Sequence, residues 1–402
     1  MNPFKKLAAA FIVAFALILV AFVAASAGDI GTFDQCSNDL GSGYTTGDTG
    51  CRWINGDLNR NNSAYMEGDA TVQRLWLTGL TAGSHTVTFD YQTSKGGSHA
   101  YDFLTTWSFS ESWITLADLC QGATGCTGWT PDTLPIPADP YMNSLGVIEP
   151  AGMVFTMYNG DLTSATTPQR DAADYSGDSL TRITITFNVD PTTAKDCVTT
   201  KGVTTCDVLI VFGGHVARTV DWKTQGGGAG TISGSPYHVQ LPLVDGAAIG
   251  SRDNQMKTDA ILPNGTLIIV KQVSPANQPD DFLFTVTGLN LNYQFSLDDD
   301  TDPTLSNTET IALPAGTYGA SELLPLNWTQ TSATCSDGSP VDAIVLSSDE
   351  TVTCTFNNLN ESSTAVSIAS FSASTPLAFG TVFAGAGLAG LLGALGLFLR
   401  RK

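Results

Sequence analysis

Basic residues are scarce in this sequence. Its 402 residues include 18 lysines and arginines against 38 aspartates and glutamates, a formal net charge of −20 at pH 7. Of the 18 basic residues, five lie at the two extreme ends of the chain, where there is no acidic residue. Such a chain offers no basic face to nucleic acid or to anionic lipid headgroups. The charge balance argues against nucleic-acid binding and is compatible with bound divalent cations.

Catalytic signatures are also missing. The sequence contains no Gly-x-Ser-x-Gly and no His-Glu-x-x-His. Its four histidines are scattered along the chain and are expected to be satisfied strand or turn residues: His85, His99, His215 and His238. We therefore predict a protein that is not an enzyme. A secreted carbohydrate-active hydrolase on a jelly roll stays open, because sequence cannot place a pair of carboxylates in space.

Long apolar runs occur only at the ends. Lys5 and Lys6 precede an apolar run from Leu7 to Ala25, and the small residues Ala25-Ser26-Ala27 follow. This order is typical of a signal peptide that is cleaved after its last alanine. We predict a signal peptide over 1–27. An uncleaved anchor is the alternative. Under either interpretation, the chain that follows is exported from the cytoplasm.

The second apolar run, Pro376–Leu399, has 24 residues and no charge. About 20 apolar residues suffice for a helix to cross a hydrocarbon core. The terminal cations Arg400, Arg401 and Lys402 are expected to stay on the cytoplasmic side. We predict a transmembrane helix over 376–399, a cytoplasmic end over 400–402 and a Ser/Thr/Ala-rich tether over 360–375. The alternative for 376–399 is a buried helix of a soluble domain.

The eight cysteines all lie between the apolar ends. An even number of cysteines in an exported chain is typical of disulfides, although sequence alone does not prove their connectivity. Zinc is disfavoured because Cys-x-x-Cys is absent and the histidines do not cluster with the cysteines. The predicted local disulfides join neighbours in sequence: Cys36 with Cys51, Cys120 with Cys126, Cys197 with Cys206 and Cys335 with Cys354.

Between residues 28 and 261 the sequence shows no long helical periodicity. Short alternating or β-branched runs recur instead, separated by Gly, Asn, Asp and Ser: Thr71–Leu77, His85–Tyr91, Thr181–Val189 and Asp207–Phe212. Many short strands with turn signals between them predict an all-β domain, a large β-sandwich or jelly-roll module over 28–261. The phrases WINGDLN, YMEGD, GSHAYDFLTTW, SGSPYH and GSRDNQM resemble an N-terminal module that recurs in bacterial cell-surface proteins and has no established activity.

Alternation sharpens between residues 262 and 359. The alternating segments are NGTLIIVKQV, DFLFTVTGL, YQFSLDDD, TETIALPAGTYGASE and SSDETVTCTFNNL. Their order resembles the prealbumin-like (SpaA or Cna B-type) stalk domain of bacterial surface proteins. The resemblance implies a small, Ig-like β-sandwich that acts as a spacer in adhesins and pilins.

The same resemblance implies an intramolecular isopeptide bond. In that family the lysine lies in the first strand, an acid in a middle strand and the asparagine in the last strand, which here match Lys271, Glu322 and Asn358. Strand parity places each of them on the same face as apolar neighbours. The neighbouring Asn357 leaves the register of the asparagine open. The alternative is that these are exposed polar residues at strand ends.

Two acidic turns are candidate calcium sites. Asp57, Asn59 and Asn61 alternate in the first, and Asp298, Asp300 and Asp302 alternate in the second. Alternate oxygen-bearing side chains in a tight loop can converge on a hard cation. Asp and Asn also favour turns without any ion, so a plain polar turn is the alternative at both places.

Tryptophan is dense in the first module, at positions 53, 76, 107, 113, 129 and 222. Exposed rings could stack on sugars, but packing in the core and under loops is the favoured interpretation. We predict a membrane-anchored protein of the cell surface that displays a binding module on a stalk. Its expected partners are the membrane and an extracellular glycan or protein ligand. A purely structural envelope component is the alternative.

Overall fold

The structure is a computed structural model that describes residues 28–38, 51–172 and 176–361, except for the side chain of Asn143. These residues belong to one compact unit that ends at Glu361. The predicted signal peptide, the predicted membrane segment and the tether after Glu361 lie outside the described residues. Within the described ranges, no helix combines the length and the apolar character needed to span a membrane.

The fold is all-β, as the alternating runs predict. Residues 29–256 form the strands β1 Asp29–Ser37, β2 Arg52–Ile54, β3 Asp57–Leu58, β4 Ala70–Thr81, β5 Gly83–Lys95, β6 Ser98–His99, β7 Tyr101–Thr105, β8 Pro131–Pro135, β9 Val154–Tyr158, β10 Asp161–Ala165, β11 Gln169–Arg170, β12 Ser179–Val189, β13 Val198–Thr200, β14 Val203–Val216, β15 Tyr237–Val244, β16 Ala247–Ala248 and β17 Asp253–Met256. Residues 265–360 form the strands β18 Gly265–Ser274, β19 Phe282–Gly288, β20 Leu291–Leu297, β21 Thr308–Leu313, β22 Gly316–Leu323, β23 Trp328–Cys335, β24 Ile344–Leu346 and β25 Thr351–Asn360. The described helices are short: α1 Leu116–Leu119, α2 Pro140–Ser144 and the 3-10 turns Cys126–Gly128, Ala229–Thr231 and Thr258–Ala260.

Two sheets face each other in the N-terminal module. The first runs β2-β1-β4-β14-β9-β8, with β7 and β13 also paired to β14. The second runs β10-β12-β5-β15-β17-β3, and in addition β6 pairs with β5, β11 with β12 and β16 with β15. Residues of both sheets meet in one buried core. All four runs that the sequence marked as strands lie inside the long strands β4, β5, β12 and β14.

Period-two alternation explains the register of the second sheet. Along β12, Ile183 and Ile185 are buried, and the intervening Thr184 is only partly buried. Ile183 lies opposite Phe89 of β5, and Ile185 lies opposite Val87. Because side chains alternate between faces, this register puts the apolar members of both strands into the core.

The first sheet is buried on its outer face as well. Leu75 of β4 points into the main core, whereas Val72 lies in a second cluster on the opposite face. This outer cluster contains two disulfides and packs five of the six tryptophans of the module: Trp53, Trp76, Trp107, Trp113 and Trp129. The sixth, Trp222, is fully buried elsewhere, and none of the six is among the exposed large apolar residues. Packing therefore accounts for these rings, as the favoured interpretation holds.

The C-terminal domain is a smaller sandwich. One sheet runs β21-β18-β25-β23 and the other runs β20-β19-β22-β24. Leu267 and Val352 of the first sheet share a buried core with Phe284 and Ile344 of the second. The first strand of the domain, β18, pairs in parallel with the last strand, β25. The predicted boundary at 261–262 falls between the strands of the two sandwiches.

Four disulfides are present, and they join the predicted neighbours: Cys36 with Cys51, Cys120 with Cys126, Cys197 with Cys206 and Cys335 with Cys354. The last of these joins directly opposed residues of β23 and β25. The two cysteines of each bridge are 6 to 19 positions apart in the sequence.

Candidate functional site

Three strands of the C-terminal sandwich bring Lys271, Glu322 and Asn358 together in its core. Lys271 follows the buried Leu267 and Ile269 on the inward face of β18. Glu322 comes from β22 of the opposite sheet, and Asn358 comes from β25, next to β18. The parallel register sets Asn358 opposite Val273, two residues beyond Lys271. The inward placement expected from strand parity is therefore present.

The three side chains meet at one carboxylate oxygen. The Nζ atom of Lys271 lies 3.0 Å from Oε1 of Glu322, and both side chains are fully buried. The Nδ2 group of Asn358 donates to the same oxygen over 2.9 Å, and Asn358 is 2% exposed. Nζ also lies 3.4 Å from the carbonyl oxygen of Phe356 and 4.3 Å from the ring centre of Phe282. The amine of Lys271 thus lies beside an aromatic ring and shares one carboxylate oxygen with the asparagine amide.

Burial acts on the proton equilibria of this pair. It lowers the pKa of the Lys271 amine, and the hydrogen bond and charge of Glu322 oppose that shift. Burial likewise raises the pKa of the Glu322 carboxyl, and the charge of Lys271 opposes it. Both directions favour the neutral forms, an unprotonated amine and a protonated carboxylic acid.

Two acceptor atoms of the site lack hydrogen-bond partners within the described part of the chain: Oε2 of Glu322 and Oδ1 of Asn358, both buried. Unsatisfied buried acceptors are unfavourable. A proton on the Glu322 carboxyl would supply a donor at this place. The arrangement offers a nucleophilic amine, a proton donor and an amide carbon to attack, which is the chemistry of amide exchange.

The two predicted calcium turns differ in structure. The carboxylates of Asp298, Asp300 and Asp302 have ligand atoms within 4.8 Å of one another. In the other turn, the carboxylate of Asp57 forms an ion pair with Lys257 instead. Oδ1 of Asn59 accepts from the backbone of Asn61 over 3.0 Å, which is the contact of a plain polar turn. Calcium at Asp57, Asn59 and Asn61 stays a prediction that these contacts do not favour.

The four histidines have local partners. Three of them contact aspartates: His85 with Asp245 at 2.9 Å, His215 with Asp102 at 2.6 Å and His238 with Asp253 at 2.8 Å. His99 stacks on Trp222 with ring centres 3.5 Å apart. Burial lowers the pKa of His99 to about 4, so it is neutral at physiological pH. These contacts agree with the expected role of satisfied strand and turn residues.

A junction between the two sandwiches was not recognisable from sequence. Glu67 is 3% exposed, and its carboxylate accepts from the backbone and hydroxyl of Thr219 and from the backbone of Gly230, at 2.6 to 2.8 Å. The same carboxylate accepts a 2.8 Å hydrogen bond from Asn264, which precedes β18. Lys223 of the first module also pairs with Glu309 of the second at 2.5 Å. From the sequence, Glu67 is only an acidic residue in a turn. Its hydrogen-bond partners could not be predicted because they are distant along the chain.

No family model matches this chain, and no curated protein matches it. Solved structures similar to it include bacterial pilus and adhesin proteins. An adhesin of Mobiluncus mulieris that contains intramolecular disulfide, isopeptide and ester cross-links is 11% identical, over 74% of this chain and 95% of that one, with a TM-score of 0.22. The pilus backbone RrgB of Streptococcus pneumoniae is 13% identical over 74% and 84%, with a TM-score of 0.17. The pilus 2b backbone protein of group B streptococcus is 11% identical over 73% and 96%, with a TM-score of 0.24. Likeness at this level does not establish a function for this chain.

Proposed function

We propose that this chain is a non-catalytic cell-surface display or adhesion protein. Its large β module stands on a small sandwich that acts as a stalk, and the core of that stalk is closed by an amide bond between Lys271 and Asn358. The membrane is its partner on one side, through the segment 376–399. An extracellular glycan or protein is its proposed ligand on the other.

The observation that carries this proposal is the buried group of Lys271, Glu322 and Asn358. Charged groups inside a small sandwich are unfavourable unless they are paired. Here the lysine and the asparagine reach one glutamate oxygen from two different strands, at 3.0 and 2.9 Å. A covalent bond between lysine and asparagine removes the buried primary amine, and with it the buried charge that protonation of that amine would create.

The reaction balances without any external reagent. The unprotonated Nζ of Lys271 attacks Cγ of Asn358, forming a new C–N bond. The bond from Cγ to Nδ2 of Asn358 breaks, and that nitrogen leaves as ammonia. Glu322 donates its proton to the departing nitrogen and takes one from the attacking nitrogen, so it ends as it began.

Two further features support an extracellular location. The four disulfides persist in oxidising compartments outside the cytoplasm. The sequence between 1 and 27 carries the order of a signal peptide, and the run 376–399 is long enough to anchor the chain. Both segments lie outside the described residues.

Peptide mapping of the full-length chain, purified in detergent, tests the amide bond. Cleavage after glutamates separates Lys271 from Asn358, because Glu309, Glu322 and Glu350 lie between them. We expect a linked peptide pair lighter by one ammonia, with fragmentation locating the bond at position 358. Asn357→Ala should retain the linked pair, whereas Glu322→Gln, which keeps the side-chain shape, should lose it. Unlinked peptides from the native chain would refute the stalk chemistry.

Display and adhesion need a separate test. The full-length chain should bind glycan arrays or cell surfaces through its first module. If the cross-linked chain binds neither glycans nor cell surfaces, the result would instead favour a purely structural role in the envelope.

A further inference from the structure

The turn after β20 concentrates negative charge at one point of the C-terminal sandwich. Asp298, Asp300 and Asp302 follow one another at alternate positions, and their ligand atoms lie within 4.8 Å of one another. The backbone of Asp298 donates to the carbonyl oxygen of Ser306 over 3.2 Å, which closes the turn before β21 begins. Three carboxylates at this spacing repel one another unless a cation lies among them.

Asp298 gives an independent reason for a cation. The residue is 2% exposed, and its Oδ2 atom is buried with no hydrogen-bond partner among the described residues. The ion pairs of the described chain do not include it. An unpaired buried carboxylate is strongly unfavourable, so the fold retains a group that needs a positive partner.

The other two carboxylates each keep an oxygen for such a partner. Oδ1 of Asp300 accepts from the backbone of Asp302 over 2.8 Å. Oδ1 of Asp302 accepts from the backbone of Thr304 over 2.8 Å. These bonds fix the side chains within the turn and leave each Oδ2 available. Asp300 is half-buried and Asp302 is exposed, so the group opens from the interior towards solvent.

We propose that this turn binds one calcium ion through the carboxylates of Asp298, Asp300 and Asp302. Calcium takes several oxygen ligands in flexible geometry, whereas magnesium demands a near-ideal octahedron and gives up its water reluctantly. An irregular turn with three carboxylates and access to solvent suits the larger ion. This site does not depend on the amide bond or on the proposed function.

The turn is fastened to the strand that carries Lys271. The backbone of Lys271 donates to the carbonyl oxygen of Asn307 over 2.8 Å. The backbone of Val273 donates to the carboxylate of Asp299 over 3.0 Å. A bound calcium ion would therefore stabilise the end of β18 on the side opposite to β25, in addition to neutralising the turn.

Calorimetric titration of the full-length chain in detergent with calcium chloride tests the site. We expect calcium binding at this turn with a Kd of about 10⁻⁴ to 10⁻³ M, the range of extracellular calcium modules. Asp298→Asn and the double variant Asp300→Asn/Asp302→Asn should each weaken that binding about tenfold or more. Asp337→Asn, an exposed aspartate in another turn of the same domain, should leave it unchanged, and so should Asp57→Asn in the other acidic turn.

Thermal unfolding gives a second readout that separates ion binding from misfolding. In EDTA, Asp298→Asn should melt at or above the temperature of the native chain, because an unpaired buried charge is gone. In millimolar calcium the order should reverse, since only the native chain gains a bound ion. The double variant of the two more exposed aspartates carries the test if Asp298→Asn fails to fold. No binding to the native chain, or binding unaltered in both variants, would overturn the proposal.

Discussion

The carboxylate of Glu67 accepts a 2.8 Å hydrogen bond from the side chain of Asn264, across 197 positions of the chain. Glu67 lies in a turn before β4, and Asn264 immediately precedes the first strand of the C-terminal sandwich. One buried acid thus joins loops of the first module to the start of the second.

Replacement of Glu67 should weaken this junction. Glu67→Gln puts an NH₂ group where one carboxylate oxygen accepted hydrogen bonds, so a buried donor then faces other donors. Bonds to charged groups contribute about 1.5–3 kcal/mol each, and we expect a loss of about 2–4 kcal/mol in the free energy of unfolding. Guanidinium unfolding measures it. Glu350→Gln, in a turn near the surface, is the control and should change stability by less than about 0.5 kcal/mol. Equal stability of the native chain and Glu67→Gln would contradict the junction.

Loss of the amide cross-link should lower the stability of the C-terminal sandwich. A link that closes a loop of about 90 residues is assigned roughly 4–5 kcal/mol by the chain-entropy model. Asn358→Ala removes the amide carbon that the Lys271 amine attacks. The adjacent Asn357→Ala removes only a 2.9 Å hydrogen bond with Ser332. Calorimetric melting should show a large drop for the first variant and a small one for the second. Similar drops in both would argue against a covalent link at position 358.

The disulfide between Cys335 and Cys354 should become more important when the amide link is absent. Its separation of 19 residues corresponds to about 3 kcal/mol in the chain-entropy model. Both cysteines lie inside the loop that the amide bond closes, so the two links constrain the same unfolded chain. Replacing both cysteines with alanine should therefore destabilise Asn358→Ala more than the native chain. A double-mutant cycle on melting temperatures measures the difference, and strict additivity would refute shared constraint.

Asp69 should make stability depend on pH. Burial, opposed by a hydrogen bond from the backbone of Met66 and reinforced by the charge of Glu111, raises its pKa from 3.8 to about 7. Below pH 3.8 the carboxyl is neutral in both the folded and the unfolded state, so it does not reduce stability. As the pH rises from 3.8 to about 7, the carboxyl ionises more readily in the unfolded state, and the free energy of unfolding falls. Asp69→Asn should therefore match the native chain near pH 4 and exceed its stability by about 1–2 kcal/mol at pH 8, because the group keeps some exposure. Denaturant unfolding at both pH values decides it, and parallel pH profiles of the two chains would contradict the assignment.

The C-terminal run should be retained in the membrane. The segment 376–399 has no charge and ends in three cations, and no sorting signal is recognisable before it. Mass spectrometry of the protein from its native membrane should recover peptides from within 376–402. A mature C-terminus before Pro376, joined to another molecule, would show that the tail is exchanged.

Local patterns carried most of what could be predicted. The alternation of Ile183 and Ile185 marks β12, and the same parity placed Lys271, Glu322 and Asn358 on inward faces. The disulfides were predictable because the two cysteines of each bridge are neighbours in the sequence. In each case the relevant interaction lies within one strand, one turn or a known order of strands.

Interactions between distant segments could not be predicted. The partners of Glu67 lie 152 to 197 positions away, and the pattern around an isolated acid does not indicate them. The ion pair of Asp57 with Lys257 was likewise hidden from the local pattern, and calcium at that turn stays a prediction. The outer cluster around Trp76 could not be predicted either. Alternation along a strand indicates one buried face and one solvent-exposed face, whereas here loops cover the second face of the sheet.

The parallel pairing of β18 with β25 determines how the C-terminal sandwich responds to tension. Neighbouring parallel strands place the entry of the first and the exit of the last at opposite ends of the domain. A pull on both ends therefore slides the two strands along each other, and the ladder hydrogen bonds between them are loaded together instead of opening one after another. An amide bond from Lys271 to Asn358 would lie across this same pair of strands, so tension would pass directly from one to the other and bypass the rest of the sandwich.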